Sequence, residues 1–221
     1  MLKWSNSRLR IENLAKIDIN DHQSDESNVA RRLVTKEVSL ILKHEETRFV
    51  VISDTHSSPH KNALDLVSAL KPHYILHAGD IGSLKVIDQF SEVAPVIYVR
   101  GNIDGIGPEL PDFVHLGLST PHGYRQDWLL THIALLGPKL LSRIEKRARN
   151  KLAQLVICGH SHVPFMAKQT GLAVFNPGSI GPRRFGLPIM FGMITLGKNG
   201  SKLQHFDGET GCVWSPKSPT G

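Results

Sequence analysis

The sequence predicts an α/β fold in which the strands of a parallel sheet alternate with helices. Short apolar runs typical of buried strands recur between residues 49 and 158, and segments with helical spacing separate the first three of them. Strands that alternate with such helices indicate βαβ units. The chain of 221 residues has the length for one large domain with a sizeable core. We expect that domain over residues 47–210, with residues 1–46 as an N-terminal extension and residues 211–221 as a C-terminal tail.

The N-terminal extension is polar and nearly balanced in charge. Its residues 21–28 are typical of a loop or a disordered linker. Apolar residues at helical spacing follow, and they predict either a docking helix capped by Asn28 or a flexible arm. These apolar residues are Ala30, Leu33, Val34, Val38 and Ile41.

The main domain is predicted to begin with alternating elements and to end rich in strands. Apolar runs predict strands at residues 49–52, 74–76, 96–99, 113–116, 128–131 and 155–158. Helical spacing of apolar residues predicts helices at residues 62–70, 84–90 and 140–152. Further strands are predicted at residues 173–175, 189–196 and 203–206.

Polar residues of the kind that bind metals follow five of the predicted strands. They are Asp54, His56, Asp80, Asn102, His132, His160 and His162. The carboxyl ends of neighbouring strands meet in the crevice where open α/β sheets bind ligands, so we expect these side chains to lie close together. Oxygen and imidazole ligands without thiolate suit Mn, Fe or Zn and exclude a cysteine-rich structural zinc site.

The spacing of these residues suggests how they share cations. Asp54 and His56 are two residues apart, as are His160 and His162, and in extended backbone such pairs point to the same side. The two oxygens of Asp80 allow its carboxylate to bridge two cations.

Glycines precede three of these residues. Gly79, Gly101 and Gly159 are expected to permit unusual backbone angles and a close approach to a bound phosphate. The remaining histidines are expected to be structural or solvated rather than metal ligands. They are His22, His44, His60, His73, His77, His115, His122 and His205.

These five motifs, in this order, resemble the calcineurin-like metallophosphoesterase superfamily, whose pattern is Asp-x-His, Gly-Asp, Gly-Asn, His and Gly-His-x-His. The resemblance covers roughly residues 48–207. Together with the sequence Asn-Pro-Gly-Ser at residues 176–179, the spacing resembles the small bacterial and archaeal phosphodiesterase branch, which also contains the retromer scaffold subunit. The resemblance implies a four-layer α/β/β/α sandwich of two mixed β-sheets flanked by helices.

The resemblance also implies a metal-dependent phosphoesterase, and within that class a phosphodiesterase. Two divalent ions, Mn first and Fe, Zn, Ni or Co as alternatives, would activate a bridging hydroxide that attacks phosphorus. The first ion would be held by Asp54, His56, Asp80 and His162. The second would be held by Asp80, Asn102, His132 and His160. The residues expected to carry catalysis are Asp54, Asp80, Asn102 and His132.

The phosphoester substrate is expected to contact cationic and amide side chains, because guanidinium pairs with phosphate in a bidentate manner. The candidates are Asn102, Arg100, Arg183 and Arg184. Asn176 and Ser179 are equally open to a role in lining the site and to a role in a turn.

The chain departs from the superfamily pattern in two places. Ile103 stands where many members have a histidine proposed to protonate the leaving group, so either leaving groups of low basicity should be preferred or another acid must act. Ile133 replaces the usual glycine after the lone histidine, and this replacement is expected to alter the geometry of the local loop. Asp104 is expected to support a ligand histidine from behind.

Two rival functions remain. A protein-interaction scaffold on the same fold is favoured by Ile103, because the retromer subunit also lacks a histidine there. A nuclease or nucleic-acid binder is suggested by the formal charge of +6. It is not favoured, because aromatic residues make up only 6% of the chain and the basic cluster at residues 143–151 is typical of a solvated helix face.

Composition also argues against other classes of protein, namely disulfide-rich, membrane-spanning and secreted ones. Apolar and charged contents of 40% and 21% are ordinary for a soluble globular protein, and the two cysteines do not make a disulfide framework. No apolar run reaches the roughly 18 residues of a membrane-spanning helix. The first residues lack the apolar core of a secretory signal, so the cytoplasm is the expected compartment. A homo-oligomer is left open.

Overall fold

Fourteen strands and three helices make up the part of the chain that the computed structural model describes, residues 32–121, 123–169, 171–184 and 186–215. The strands are β1 Thr35–Ile41, β2 Thr47–Ile52, β3 Tyr74–His77, β4 Val96–Tyr98, β5 Phe113–Ser119, β6 Arg125–Thr131, β7 Leu135–Leu136, β8 Lys139–Leu140, β9 Leu155–Ile157, β10 Phe165–Gln169, β11 Leu172–Asn176, β12 Met190–Gly197, β13 Gly200–Asp207 and β14 Val213–Trp214. The helices are α1 Ala63–Ala69, α2 Lys85–Ser91 and α3 Ser142–Asn150.

Twelve of these strands form two mixed six-stranded sheets. Sheet A has the order β1-β5-β6-β9-β11-β10, and sheet B has the order β14-β13-β12-β2-β3-β4. In sheet B, β2, β3 and β4 run parallel to one another, and in sheet A, β6 and β9 run parallel. All the ligand-type residues predicted from the sequence follow one of these five strands.

Alternating side chains explain how the sheets stack. In β2, Phe49 and Val51 are buried in the apolar layer between the sheets, together with Leu116 and Trp128 of sheet A. Val50 of β2 points the other way and packs with residues of α1 and α2. A third apolar layer joins sheet A to α3. The molecule is therefore the four-layer α/β/β/α sandwich that was expected.

The N-terminal extension differs from its prediction. Residues Thr35–Ile41 form β1, which pairs in parallel with β5 at the edge of sheet A, and not a docking helix. Val38 of this strand is 3% exposed and belongs to the layer between the sheets. The expected cap, Asn28, lies outside the described residues. The segment from residue 35 onward is thus part of the main domain.

The C-terminal boundary also shifts. Val213–Trp214 form the short strand β14, which pairs with β13, so the sheet continues beyond the predicted end at residue 210. No helix within the described residues is long and apolar enough to cross a membrane.

Candidate metal centre

Both sheets contribute loops to the candidate metal centre. Asp54, Asp80 and Asn102 follow β2, β3 and β4 of sheet B, whereas His132 and the pair at residues 160 and 162 follow β6 and β9 of sheet A. The sequence predicted convergence at the edge of one parallel sheet. The structure shows that the centre joins the edges of two sheets.

Five of the seven predicted ligands form two clusters that share Asp54. Asp54, His56 and His162 place ligand atoms within 4.8 Å of one another, and Asp54, Asp80 and His132 do the same. All of these except the half-buried His56 are buried. Buried carboxylates next to imidazoles are the oxygen and nitrogen donors that divalent transition metals use.

Asp80 belongs to the second cluster and also faces His56 of the first. Its Oδ1 is 3.3 Å from His132 Nε2, and its Oδ2 is 3.8 Å from His56 Nε2. Each oxygen therefore faces a different imidazole, as a bridging carboxylate requires. Burial alone would raise the pKa of Asp80, but contact with His132 and the amide of Ile103 lowers that pKa below its ordinary value.

The ring of His132 is fixed with one nitrogen toward the centre. Its Nδ1 lies 2.7 Å from the carbonyl oxygen of Ala78, and because a carbonyl only accepts, Nδ1 carries the proton. In the neutral ring, Nε2 is then unprotonated, and its lone pair faces the carboxylate of Asp80. Burial lowers the pKa of His132, but the carboxylates of Asp80 and Asp54 outweigh burial and raise it overall. The lone pair of His132 Nε2 and the carboxylate of Asp80 therefore need a cation between them, either a proton or a metal.

Two buried atoms at the centre support the same conclusion. Asp54 Oδ1 and His132 Nε2 have no hydrogen-bond partner within the described part of the chain. Nearby, His162 Nε2 is 3.4 Å from Asp54 Oδ1 and 3.3 Å from His56 Nε2. Buried polar atoms are normally satisfied, so a cluster of unsatisfied acceptors fits a bound cation. The residues present therefore fit the divalent metals expected from the sequence.

His160 and Asn102 lie at the rim. The ring centroid of His160 is 5.2 Å from that of His132, and its backbone amide donates to Asp54 Oδ2. Asn102 is exposed and sits between Gly101 and Ile103, and the amide of Ile103 donates to Asp80 Oδ1. Both residues are exposed, unlike the buried residues of the two clusters.

The backbone at the ligands is left-handed rather than extended. Asp54, His56 and Asp80 have φ of 56°, 46° and 53°, and His160 and His162 have φ of 71° and 59°. The expectation that each pair shares a side of an extended strand is therefore wrong. Tight turns bring the side chains together, and turns of this kind are concentrated at functional sites.

Only one of the three glycines is explained by backbone freedom. Gly79 has φ of 91°, which suits glycine. At Gly101 a Cβ would lie 2.1 Å from the amide nitrogen of Asp80, and at Gly159 it would lie 1.9 Å from Ser53 Oγ. These two positions need glycine because neighbouring ligand loops pack against them.

Asp104 organises the loops and does not hold a histidine. Its carboxylate accepts hydrogen bonds from the amides of Ile81, Gly82 and Gly101, at 3.1, 2.7 and 2.7 Å. The predicted support of a ligand histidine is thus replaced by a tie between the loops that carry Asp80 and Asn102.

The three candidate arginines differ in their surroundings. Arg100 donates to the carbonyl oxygens of Gly105 and Asp104 and to the carboxylate of Asp112, so its role is structural. Arg183 donates to the carbonyl of Leu187 and to the carboxylate of Glu209.

Arg184 is exposed, and its guanidinium has no hydrogen bond or ion pair with the described residues, although its carbonyl oxygen accepts from the amide of Leu187. After burial, the charge of Arg184 is the largest cause that lowers the pKa of His56. Arg184 also lies, together with Arg183, around a shallow surface depression that His162 and Ser179 line. Among the three arginines, Arg184 is the one whose charge acts on the candidate metal centre and whose guanidinium has no partner among the described residues.

Asn176 and Ser179 support the ligand loops from behind. Asn176 is fully buried and its amide donates to Gly159 O at 2.7 Å. Ser179 Oγ donates to Asp54 O at 3.1 Å. These contacts cross long distances in sequence, so the local pattern, an Asn-Pro-Gly turn, could not reveal them.

Several other histidines are structural, as expected. Burial lowers the pKa of His73, of His205 and, to about 4, of both His77 and His115. His205 contacts Asn176 O, and His73 Nδ1 accepts from the amide of Arg48. His22 and His122 lie outside the described residues.

Comparison with known proteins agrees with this geometry. The family model of the calcineurin-like phosphoesterase superfamily domain matches residues 48–199. A probable metallophosphoesterase from Methanothermobacter thermautotrophicus is 28% identical over 137 residues, which are 58% of this chain and 74% of that protein. Phosphodiesterase YfcE from Escherichia coli K12 is 30% identical over 115 residues, which are 50% of this chain and 58% of that protein.

Solved structures show the same fold. Vacuolar Protein Sorting 29 from Cryptosporidium parvum has a TM-score of 0.64 at 19% identity, covering 77% of this chain and 96% of that one. The structure of YfcE from E. coli has a TM-score of 0.54 at 23% identity, covering 76% and 97%. The two clusters of metal-type residues, the sandwich fold and the match over residues 48–199 agree, and the chain belongs to the calcineurin-like phosphoesterase superfamily.

Proposed function

We propose that this protein is a metal-dependent phosphoesterase, and specifically a phosphodiesterase, that works with two divalent cations. The observation that carries the proposal is the convergence of unsatisfied ligand atoms, Asp54 Oδ1 and His132 Nε2 among them, in one buried cluster of the described residues. The similarity to proteins named probable metallophosphoesterase and phosphodiesterase supports the same class of reaction.

The proposed ligand sets combine residues of the two clusters with the two at the rim, and they share Asp80, whereas the clusters share Asp54. One cation would be held by Asp54, His56, Asp80 and His162, and the other by Asp80, Asn102, His132 and His160. Bound there, two divalent ions would acidify a water molecule and offset negative charge on the phosphoryl group. Mn²⁺ is the first choice, and Fe, Zn, Ni and Co are alternatives, because all of them accept imidazole and carboxylate ligands.

The protein's own groups would position the substrate. The exposed guanidinium of Arg184, close enough to lower the pKa of His56, would attract a phosphate oxygen and pair with it. The exposed amide of Asn102 would donate a hydrogen bond to the phosphoryl group. Ile103 is 53% exposed beside Asp80 and has no proton to give, so esters whose leaving groups are weak bases should react fastest.

The test is hydrolysis of bis(4-nitrophenyl) phosphate by metal-stripped protein before and after addition of Mn²⁺. We expect turnover only with metal, and a loss of at least about 100-fold in Asp80→Asn and in His160→Ala. Asp127→Asn is the matched control, because Asp127 pairs with Arg125 on the outer face of sheet A. Turnover that persists in EDTA, or in Asp80→Asn, would contradict the proposal.

A protein-interaction scaffold is the second candidate. Ile103 favours it, and so does the structural similarity to Vacuolar Protein Sorting 29. The two functions differ in one measurement: an enzyme turns over, whereas a scaffold binds metal at fixed stoichiometry without hydrolysing phosphomonoesters, phosphodiesters or cyclic nucleotides. The intact set of acidic and imidazole ligands favours the enzyme.

A further inference from the structure

A chain of hydrogen bonds runs through the core directly behind the metal centre. The amide of Gly79 donates to His77 Nδ1 at 3.2 Å, and His77 Nε2 lies 2.9 Å from Thr55 Oγ1. The hydroxyl of Thr55 in turn donates to the carbonyl oxygen of Ile81 at 3.1 Å. Both side chains are fully buried, so water does not compete for these bonds.

The partners determine where every proton lies. A backbone amide only donates, so Nδ1 of His77 must be unprotonated and accept with its lone pair. The proton of the neutral ring is then on Nε2, from which it is donated to Thr55 Oγ1. A carbonyl only accepts, so the hydroxyl proton of Thr55 points to Ile81. Burial lowers the pKa of His77 to about 4, in agreement with a neutral ring at neutral pH.

The hydrogen-bond chain connects two strained turns. Thr55 lies between Asp54 and His56, whereas Gly79 and Ile81 flank Asp80. A left-handed conformation costs an ordinary residue about 1–2 kcal/mol, and all three of these ligands have one. The same two turns are joined by backbone bonds from Asp54 N to Gly79 O and from His56 N to Asp80 O, at 2.9 and 3.0 Å.

We propose that His77 is a positioning residue that, through Thr55, fixes the spacing between the turn bearing Asp54 and His56 and the turn bearing Asp80. His77 does not contact a cation itself. Its role is to hold the two turns at the separation that allows their side chains to share cations. The inference rests on the proposed function in one respect, namely that this separation serves metal binding.

Thr55 offers a matched pair of variants. Thr55→Val keeps the shape and removes the hydroxyl, whereas Thr55→Ser keeps the hydroxyl. We expect Thr55→Val to bind Mn²⁺ about 10- to 100-fold more weakly in calorimetric titration, as loss of a supporting hydrogen bond to a metal site usually does. Thr55→Ser should restore affinity, and His77→Leu should match Thr55→Val. A purely structural role would lower the melting temperature of the metal-free protein and leave the affinity of folded protein unchanged.

Histidine ring NMR on the metal-free wild-type protein tests the hydrogen-bond chain without any variant. The ¹⁵N shifts of His77 at pH 7 should report the Nε2–H form. An Nδ1–H ring, or folded Thr55→Val that binds Mn²⁺ as tightly as wild type, would overturn the positioning role while leaving the proposed function intact. Wild-type protein that does not bind Mn²⁺ would overturn both proposals, whatever the ring form.

Discussion

Gly101 shows how closely the ligand loops approach each other. The space that a side chain would need at this position is filled by the backbone and carboxylate of Asp80. Gly105, four residues later in the same loop, has open space around it. Two glycines of one loop therefore have opposite requirements, although the sequence alone makes them look alike.

Gly101→Ala should displace the Asp80 turn. A Cβ at 2.1 Å from Asp80 N cannot be accommodated without movement, and such overpacking costs about 1–3 kcal/mol of folding free energy. We also expect weaker Mn²⁺ binding, measured by calorimetry beside urea unfolding. Gly105→Ala is the control and should leave both quantities close to wild type. Equal behaviour of the two variants would show that the loops are not packed as described.

His115 should make stability depend on pH. Burial and the charges of Lys151 and Arg147 lower its pKa in the folded protein to about 4, from the ordinary value of 6.5. The unfolded chain therefore binds more protons between these values, and stability is fully present above pH 6.5 and lost as pH falls toward 4. The loss from this one group is up to about 3 kcal/mol.

Urea unfolding in EDTA at several pH values from 7 to 4 checks this prediction. The free energy of unfolding should fall more steeply for wild type than for His115→Gln, which cannot titrate in this range. Parallel curves for the two proteins would show that His115 is not buried in its neutral form.

At the scale of elements, β1 is where prediction from the sequence fails. Val34 and Val38 are four residues apart, which suits one face of a helix, but they also fit every second residue of a strand. The structure resolves the ambiguity because β1 pairs with β5 over seven residues, and this partner is distant in sequence. Helical spacing over so short a segment could not reveal a long-range partner.

Two neighbouring positions in β1 test the strand. Val38 is buried and Ser39 is exposed, as adjacent residues of a half-buried strand should be. In a thermal unfolding experiment, Val38→Asn should lower the free energy of unfolding by about 3 kcal/mol, because the variant loses apolar burial and places an amide in the core. Ser39→Asn should be nearly neutral in the same thermal unfolding experiment. Similar losses at both positions would contradict this orientation.

Elsewhere the local spacing of apolar residues was sufficient to predict the positions of helices and strands. The three helices and the strands that precede the ligands lie where apolar periodicity placed them, because each buries a face that its own spacing specifies. The motifs likewise included the five residues whose ligand atoms form the two clusters. The partners of the supporting residues were not identified in this way. Asn176 and Thr55 act through partners that only the folded chain brings near, and Asp104 binds backbone amides instead of a side chain.

In the molecule as a whole, the candidate metal centre joins the two sheets. His132 comes from sheet A and Asp80 from sheet B, and their side chains are 3.3 Å apart. A cation bound between them would cross-link two layers otherwise held by apolar packing. Stability of the entire domain should therefore respond to metal.

Addition of Mn²⁺ should raise the melting temperature. A ligand at 100 times its dissociation constant stabilises the folded state by about 2.7 kcal/mol, which corresponds to roughly 5–10 °C for a domain of this size. EDTA should reverse the shift, and Asp80→Asn should abolish it, whereas Asp127→Asn should keep it. A melting temperature that does not change when Mn²⁺ is added would exclude a metal cross-link between the sheets.

The pairing of β1 with β5 has a consequence for synthesis of the protein. Thr35 pairs with Phe113, so 78 residues separate the two partners along the chain. At translation rates of about 5–20 residues per second, β1 waits roughly 4–16 s after it is made before its neighbour exists. During that interval its apolar side chains have no sheet to join, and unpaired strands with exposed apolar surface are prone to aggregate.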